Sequence, residues 1–272
     1  MSLDGYGADS VRLQMKAAGP KQDQHTHMLE IPEVTLAPGA CDSDLLIAEH
    51  FLLKVATTPL PETWQLLRHG GRMTLKAPAD AGGYQLELNL TEGPMARRVR
   101  TARRTDSLPR AIGMHRRRVE RIIDATAGLG RDAMVLSALG CAVTAIERVP
   151  ALCFLLQVAV KESAANIDVV HGDAVEWLRA HAEGADPAAV VYLDPMFSDP
   201  KKAQVKKEMQ ACRALAGPPT DTSALLAAAR AAARDRVVVK RHPQHPPLAD
   251  DVSFEVRGDR VRFDVYLTSG AS

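Results

Sequence analysis

Short apolar runs alternate regularly with helical segments from Arg121 onward, and this alternation limits the folds open to the chain. The predicted strands cover 121–126, 142–147, 168–170, 189–194 and 236–240, and the predicted helices cover 131–139, 150–163, 174–181 and 222–234. Strands joined by helices pair in parallel, because each helix carries the chain back across the sheet. Two further runs, 253–256 and 261–267, predict an antiparallel hairpin at the edge. The sequence therefore predicts an α/β fold over 121–272, with a doubly wound, mostly parallel, seven-stranded, Rossmann-like sheet.

The first 120 residues lack this alternation and divide into three parts. Residues 1–40 are rich in Gly, Pro, Asp, Gln and His, which predicts a flexible leader. Residues 41–96 predict a small N-terminal α+β unit, with helices over 45–55 and 62–68 and strands over 73–76 and 84–90. Residues 97–120 are dominated by arginine, and we interpret them as a linker.

Composition excludes several classes of protein. Hydrophobic residues make up 46% of the chain and charged residues 25%, which is typical of globular proteins and excludes a disordered or collagen-like chain. No apolar run approaches the length of a membrane helix, and the first thirty residues do not resemble a secretory signal. The four cysteines form no CxxC pair, and His25 and His27 are too few for a metal site. We therefore expect reduced thiols, a cytoplasmic location, no membrane contact and no metal.

Positive charge is concentrated in one segment of the chain. Ten arginines lie from Arg97 to Arg121, against two acidic residues, Asp106 and Glu120, so this segment carries a charge of about +8. The net charge of the whole chain is only +1, because acidic residues elsewhere offset the segment. Arginine makes paired hydrogen bonds to phosphate groups, which lysine does not. The segment therefore predicts a polyanionic partner, and nucleic acid is the favoured one. The alternative is a solvated arginine face without a partner.

The first predicted strand ends in an acidic, glycine-containing loop. Asp124 ends the strand, and Gly128 and Gly130 follow it, so the backbone can turn sharply and pass close to a ligand. A carboxylate at this point suits a cationic ligand such as S-adenosylmethionine (SAM) better than a pyrophosphate. A nicotinamide dinucleotide is also disfavoured because Ala133 stands where its fingerprint requires a third glycine.

The next two strands end in residues that suit the rest of the same cofactor. Glu147 lies nineteen residues after Gly128, where an acidic side chain can accept hydrogen bonds from ribose hydroxyls. Asp173 and Ala174 follow the third strand, where a carboxylate and a backbone amide can bind adenine. Each feature also has a purely structural explanation, but their order and spacing together predict SAM binding.

The fourth strand end carries the residues suited to chemistry: Asp194, Pro195 and Phe197 in the sequence Asp-Pro-Met-Phe. An exocyclic amine on a base is a poor nucleophile, because its lone pair is delocalised into the ring. A carboxylate and a proline carbonyl that both accept its N–H groups can shift the nitrogen toward tetrahedral geometry. Pro195 restricts the backbone, and Phe197 can stack on the base. The alternative is a plain Asp-Pro turn at the end of a strand.

Five blocks of the sequence resemble one known family. They are Asp124–Ala133 (DATAGLGRDA), Leu193–Phe197 (LDPMF), Val205–Met209 (VKKEM), Val237–Arg241 (VVVKR) and Arg262–Tyr266 (RFDVY). They are similar to the RsmJ family of class I SAM-dependent methyltransferases, which modify guanine N2 in bacterial small-subunit (16S) ribosomal RNA. The resemblance runs from about Thr58 to Leu267 and implies a class I methyltransferase fold and this activity.

The resemblance also implies the residues that bind the cofactor. The implied SAM contacts are Arg131, Asp132, Glu147, Arg148, Asp173, Ala174 and Asp194. The positive charges of the arginine-rich segment and around the fourth and fifth strand ends predict the contacts to small-subunit ribosomal RNA, and the resemblance favours RNA over solvated side chains. These residues are Arg97, Arg98, Arg103, Arg104, Lys201, Lys202, Lys206, Lys207, Lys240 and Arg241.

Two stretches depart from the family pattern. Residues 97–104 replace a glycine-rich stretch, and His242-Pro243-Gln244 replaces the usual Pro-Asp-Tyr. Both lie where RNA could approach, so the target nucleotide stays open, as do the choice between naked RNA and an assembled subunit and the oligomeric state. Two other functions stay open: amino-methylation of adenine N6 or a protein amide, and RNA binding without catalysis.

Overall fold

The alternation in the sequence corresponds closely to the elements of the structure, a computed structural model that describes residues 32–83, 85–182, 188–195, 212, 214–217 and 220–268. The strands are β1 Val34–Leu36, β2 Lys54–Val55, β3 Trp64–His69, β4 Arg72–Lys76, β5 Gln85–Glu87, β6 Arg121–Asp124, β7 Ala142–Glu147, β8 Ile167–His171, β9 Val190–Leu193, β10 Arg236–Arg241, β11 Phe254–Arg257 and β12 Arg262–Leu267. The helices in these ranges are α1 Asp42–His50, α2 Gly93–Thr101, α3 Ser107–Ile112, α4 Arg131–Ala138, α5 Pro150–Ser163, α6 Ala174–His181 and α7 Thr222–Ala232.

The seven strands after Arg121 form one sheet in the order β11-β12-β10-β9-β6-β7-β8. Strands β6 to β10 pair in parallel, whereas β12 runs antiparallel to both β10 and β11. The residues of β9 and the valines of β10 are buried, because helices cover both faces of a parallel sheet. This topology confirms the predicted fold class, including the antiparallel hairpin.

The carboxyl ends of the five parallel strands lie along one edge of the sheet, which we call the site edge. It carries Asp124, Glu147, His171, Leu193 and Arg241 as the last residues of their strands. Ligands of open α/β sheets bind at this kind of edge, where the order of strands reverses. In this sheet the reversal lies between β6 and β9.

Residues 62–68, predicted as a helix, instead contain strand β3. This strand forms a hairpin with β4 in which His69 pairs with Arg72, and Gly70 and Gly71 form the turn with φ of +58° and +83°. Positive φ at both turn residues is required in such a hairpin, and Gly-Gly is its sequence signal. The helix prediction was wrong because a short apolar run fits both the spacing of a helix and the alternation of a strand. Pairing with β1 and β4 decides in favour of the strand.

The predicted leader and the first predicted helix also need correction. Val34–Leu36, assigned to the flexible leader, is strand β1 and pairs with β2 on one side and β3 on the other. The helix predicted over 45–55 covers only Asp42–His50, because Lys54–Val55 is the strand that pairs with β1. The small sheet therefore has the order β2-β1-β3-β4-β5 and begins inside the stretch predicted as leader.

The arginine-rich stretch predicted as a linker contains the end of helix α2 and the whole of helix α3. Helix α2 begins with Pro94 in its first turn and packs against α4, and α3 packs against the hairpin strands β11 and β12. Proline suits a first helical turn because it lacks an N–H that would have no partner there. Gly113 ends α3 in the left-handed conformation. The boundary proposed at residue 96 therefore falls in the middle of α2.

One continuous cluster of buried side chains joins the small sheet to the large one. It includes Leu36 and Trp64 from the small sheet and Leu152 from α5. Helix α1 and strand β4 both contact α5, and the ring of Phe51 lies 6.4 Å from that of His171 at the end of β8. The small sheet thus packs on the α5 side of the large sheet and reaches the site edge.

None of the helices in the described ranges is both long enough and apolar enough to cross a membrane. The four cysteines are unpaired thiols; Cys141, Cys153 and Cys212 are buried, and Cys41 is exposed.

The two loop glycines allow a matched test of packing. Gly128 and Gly130 have φ of +52° and +64°, but a Cβ at Gly130 would lie 2.4 Å from Leu156 Cδ1, whereas a Cβ at Gly128 would meet nothing within 4 Å. Both alanine variants bear about 1 kcal/mol for the left-handed backbone. Leu156 is fully buried, so we expect Gly130→Ala to lose a further 1–3 kcal/mol, roughly, to overpacking in denaturant unfolding. Equal losses in the two variants would show that Leu156 moves aside freely.

Candidate active site

Hydrogen bonds join the strand ends of the site edge into one cluster. The Gly128 N–H donates to Glu147 Oε2 at 2.9 Å, and so the loop after β6 is held to the end of β7. The Asp194 N–H donates to Thr126 Oγ1 at 2.6 Å, which holds the end of β9 to the same loop. The Gly172 N–H donates to the Glu147 carbonyl at 3.0 Å and brings in the residue after β8. Residues predicted from separate strand ends therefore lie together.

The glycine loop leaves open space where a cofactor is predicted. A Cβ built at Gly128 would have no atom within 4 Å, and the same holds for Gly172 at the end of β8. Gly130 has a different role: it begins α4 in the left-handed conformation and packs against Leu156. Of the two loop glycines, Gly128 is the one positioned to let a ligand approach the backbone.

Glu147 is held by backbone donors at the end of β7. Its Oε2 accepts the Gly128 N–H and its Oε1 accepts the Val149 N–H, both at 2.9 Å. Burial raises the pKa of this carboxyl, and the two N–H donors act against that rise. Arg148 follows at the same strand end, where its carbonyl lies 3.2 Å from His171 Nε2. A fixed acceptor beside the glycine loop is suited to a ribose.

Asp173 has a clear structural role besides the predicted one. Its Oδ1 accepts the N–H groups of Val175 and Glu176 at 2.8 and 3.1 Å, so it is the N-cap of α6, which begins at Ala174. Both bonds use the same oxygen. The cap fixes the loop after β8 beside Glu147, where the predicted adenine contact of Asp173 and Ala174 stays a prediction.

Asp124 is the most deeply placed carboxyl of the site, only 2% exposed. Burial, followed by the charge of Asp132, raises its pKa to about 8, although the Thr126 N–H donates to it and Lys240 lies nearby. A carboxyl in this state is mostly protonated at neutral pH. It becomes a favourable anion once a cation enters the site.

A lysine bridges the two other aspartates of the site. Lys240 Nζ donates to Asp194 Oδ2 at 2.7 Å and to Asp132 Oδ2 at 2.9 Å. The side chain of Lys240 is only 26% exposed, and the two carboxylates raise its pKa despite burial. In this structure the ammonium of Lys240 therefore lies at the centre of the site, paired with two carboxylates, and the RNA contact predicted for it stays a prediction.

Asp132 is bound by three donors, and its implied cofactor contact stays a prediction. Besides Lys240, the Tyr192 hydroxyl donates to Oδ2 at 2.7 Å and Arg98 donates to Oδ1. Burial raises the pKa of Asp132, but Lys240 and Arg98 outweigh it and lower that pKa to about 2. Asp132 is thus a fixed anion at the start of α4. Its neighbour Arg131, for which a cofactor contact is also implied, is exposed.

Asp194 is the part of this cluster that faces outward. Its side chain is 41% exposed, and Pro195, the next residue, is buried. Burial of the surrounding cluster raises the pKa of Asp194, whereas Lys240 acts in the opposite direction. The cluster therefore presents one lysine-bound carboxylate at the end of β9.

The sequence interpretation missed two participants, Tyr192 and Thr126. Tyr192 is a fully buried tyrosine in an otherwise aliphatic strand, and a buried hydroxyl needs a partner. That requirement was a usable signal, but nothing in the sequence pointed to Asp132 as the partner, sixty residues away. Thr126 was predicted as the last residue of the first strand, and only the approach of β9 gives its hydroxyl a role.

The arginines predicted to contact RNA are spread along α4 rather than gathered at the site edge. Arg97 is exposed on α2, where an open groove of about 460 Å³ is lined by Gly93, Pro94, Arg97, Arg98, Arg100 and Thr101. Arg98 binds Asp132 at the first turn of α4, whereas Arg104 donates to the Leu139 carbonyl at its far end. Arg103 is exposed beyond α2. The α2 groove is linked to the site through Arg98, which contacts Asp132.

Arg241 does not have the accessibility that RNA contact requires, because it is only 6% exposed. It donates to the Pro246 carbonyl, and the buried Arg262 donates to the carbonyls of Pro243 and His245 at 3.1 and 2.9 Å. The Arg241 side chain is therefore buried in this structure, and the RNA contact predicted for it stays a prediction without support from the geometry. The two guanidinium groups instead hold the 242–246 loop, one of the stretches that departs from the family pattern, beside the site edge.

Five predicted site residues lie outside the described residues: Phe197, Lys201, Lys202, Lys206 and Lys207. In the part of the chain that the structure describes, no group of three or more His, Cys, Asp or Glu is arranged to hold a metal ion.

Comparison with known proteins agrees with this geometry. Residues 52–268 match a family described as "Putative SAM-dependent methyltransferase". The chain is 39% identical to ribosomal RNA small subunit methyltransferase J of Alkalilimnicola ehrlichii, over 81% of this chain and 89% of the relative. It is 40% identical to the protein of the same name from Thioalkalivibrio sulfidiphilus, over 74% and 82%. A crystal structure of a SAM-dependent methyltransferase from Neisseria gonorrhoeae superposes with a TM-score of 0.66 and 28% identity, covering 88% of this chain and 98% of that one.

The fold, the glycine loop and the acidic strand ends define a class I SAM-dependent methyltransferase. Within that class, the chain belongs to the ribosomal RNA small subunit methyltransferase J family. Its cofactor is SAM, and the residues present fit it, because Gly128 leaves open space between the buried Asp124 and the end of β7.

The raised pKa of Asp124 predicts that SAM binding releases a proton. At pH 7 a carboxyl with a pKa of about 8 is mostly neutral, and a bound cation favours its ionised form. The affinity for SAM should therefore rise by up to about tenfold per pH unit between pH 6 and 8 and level off above pH 8. This expectation applies while the charges of Asp132, Asp194 and Lys240 stay constant. Calorimetry at pH 7 in buffers of different ionisation enthalpy should count nearly one proton released.

The isosteric variant Asp124→Asn is the control for this measurement. It should bind SAM more weakly and release no proton from this position, while titration of the SAM amino group is common to both proteins. The same proton count in wild type and variant would show that Asp124 does not ionise on binding.

Proposed function

We propose that this protein transfers a methyl group from SAM to the exocyclic N2 amine of a guanosine in small-subunit ribosomal RNA. The names of its relatives support the RNA substrate. One observation of the structure carries the amine chemistry: Asp194, at the end of β9, is a partly exposed carboxylate bound by Lys240. The proposal includes a cytoplasmic location, where ribosomal subunits are assembled.

The residues of the chain prepare the nucleophile. SAM supplies an electrophilic methyl group on a positively charged sulfur, and Asp124, Glu147 and the Gly128 backbone are the groups that would hold it. Lys240 binds Oδ2 of Asp194, so we assign the amine N–H to Oδ1. The acceptor draws the amine away from the plane of the ring and frees its lone pair. The amine becomes acidic only once it is methylated, so its proton can leave to water.

Pro195 and Phe197 complete the proposed target site. Pro195 restricts the backbone after Asp194, and its carbonyl is the second acceptor that we propose for the amine. Stacking of the base on Phe197 is proposed from the sequence alone. A guanine that is paired or stacked must first be extruded, at a cost of a few kcal/mol.

The α2 groove is the proposed contact for the RNA backbone. Arg97 and Arg100 line it and are exposed, and Arg98 connects the same helix to Asp132 beside Asp194. Guanidinium groups on one helix at the rim of the site suit phosphates on either side of an extruded base.

Asp194→Ala should abolish methyl transfer and leave SAM bound. Removing an acceptor that acts on the reacting nitrogen lowers kcat by about 10²–10³-fold, whereas SAM affinity should change by less than about tenfold. Transfer of labelled methyl to 16S RNA and to 30S subunits, with mass analysis of the nucleosides, measures both the rate and the modified base. Asp168→Ala, at an exposed aspartate in β8, is the matched control. Full activity in Asp194→Ala, or a product methylated on adenine, would refute the proposal.

Arg97→Ala/Arg100→Ala should weaken RNA binding in a salt-dependent way. The logarithm of RNA affinity falls as the logarithm of salt concentration rises, and each lost phosphate contact makes this negative slope shallower by about 0.7–0.9. Lys161→Ala/Arg179→Ala removes the same charge from the last turns of α5 and α6 and should leave the slope unchanged. An unaltered slope in the α2 variant would place the RNA contact elsewhere.

A further inference from the structure

Three aspartates of the site edge lie close enough to influence one another. The pKa values of Asp124 and Asp194 are both raised first by burial and then by the charge of Asp132 among other groups. Three ionised carboxyls at one partly buried edge would repel one another strongly. A cation beside Asp194 therefore favours its charged form.

Lys240 is the cation placed between them. It comes from the end of β10, which lies beside β9, and it reaches Asp194 on β9 and Asp132 on α4 at 2.7 and 2.9 Å. Two of its three N–H donors are used by these contacts. A phosphate bound through the third donor would share the positive charge of Lys240 with both carboxylates.

Asp132 is in turn fixed from two further elements. The Tyr192 hydroxyl, on β9, donates to Oδ2, and Arg98, on α2, donates to Oδ1. Asp132 is therefore held in place and ionised, and it binds the same ammonium as Asp194. Both ends of the bridge are defined by hydrogen bonds, which is what fixes a side chain with four rotatable bonds.

We propose that Lys240 and Asp132 are positioning residues for methyl transfer: the fixed Asp132 anchors Lys240, and Lys240 keeps Asp194 ionised and aimed at the incoming amine. The inference rests on the role proposed for Asp194. It assigns to Lys240 a role distinct from RNA contact and to the Asp132 side chain a role distinct from cofactor contact.

The first test follows the Asp194 carboxyl without SAM. In protein with ¹³C-labelled aspartate carboxyls, the Asp194 signal is identified by its loss in Asp194→Asn, and its titration midpoint is measured by NMR. The charged groups that face it within the described residues are Lys240, Asp132, Asp124 and Arg98. Lys240→Met should raise the midpoint by about one pH unit or more, because the opposing positive charge is lost. Lys240→Arg keeps the charge and should move it less, and Lys161→Met, on the surface of α5, should leave it unchanged.

Asp132→Asn should shift the titration midpoint of Asp194 in the opposite direction. Removing this anion should lower the midpoint of Asp194, since one repelling charge is lost and Lys240 then serves Asp194 alone. If Lys240→Met does not fold, as shown by thermal melting, the downward shift in Asp132→Asn and the smaller effect of Lys240→Arg carry the test. A midpoint that is unmoved by the folded variants would overturn the inference.

Steady-state kinetics separate positioning from RNA contact. A misplaced acceptor lowers kcat, so Lys240→Met should lose between about tenfold and a hundredfold in kcat while its KM for RNA stays within about threefold. A salt-dependent rise in KM at unchanged kcat would instead make Lys240 an RNA contact and overturn the inference. These measurements distinguish failure of the role proposed for Asp194 from failure of the role proposed for Lys240. Full activity in Asp194→Ala refutes the role of Asp194, whereas an inactive Asp194→Ala with a fully active Lys240→Met refutes only the inference about Lys240.

Discussion

The bridge from Asp132 through Lys240 to Asp194 is the interaction on which the site depends. Three acidic residues meet at the end of a parallel sheet, where burial disfavours their charged forms. Lys240 lies between the carboxylates of Asp132 and Asp194, and Arg98 supplies a second positive charge at Asp132. Burial keeps the third carboxyl, Asp124, mostly neutral until a cation binds. The same lysine connects two strands and a helix, so it also holds the pocket in shape. Removing one partner of such a buried cluster leaves an uncompensated charge.

The bridge also connects the cofactor side of the site to the side proposed for RNA. Asp132 lies at the start of α4, directly after the glycine loop, and Arg98 reaches it from α2. Arg97 and Arg100 lie on the same helix and line the open groove. An RNA bound along α2 would therefore contact an element that is hydrogen-bonded to the cluster around Asp194. The small sheet and α2 together form the part of the molecule that a plain Rossmann-like sheet lacks.

Much of the large sheet could be predicted from the sequence. Strands such as Val190–Leu193 and the valines of β10 are continuous apolar runs because both faces are covered, and the glycine and acidic residues follow them at regular positions. The small sheet was predicted less well: β1 was assigned to a leader and β3 to a helix. Both are short strands whose conformation depends on pairing with neighbouring strands. A run of three to six residues is too short to show whether its apolar residues follow the spacing of a helix or of a strand.

The sequence by itself determined the fold class and the strand ends that bear chemistry, because periodicity and the positions of Gly and Asp are local properties. Tertiary structure alone decided the roles of neighbouring residues at the end of β10. Lys240 and Arg241 are adjacent and both cationic, but consecutive side chains of a strand point to opposite faces. One therefore meets the carboxylates of α4 and β9, and the other meets the carbonyl of Pro246. Which face holds the acids depends on the order in which distant strands pair, and that order is not written in any local stretch of the chain.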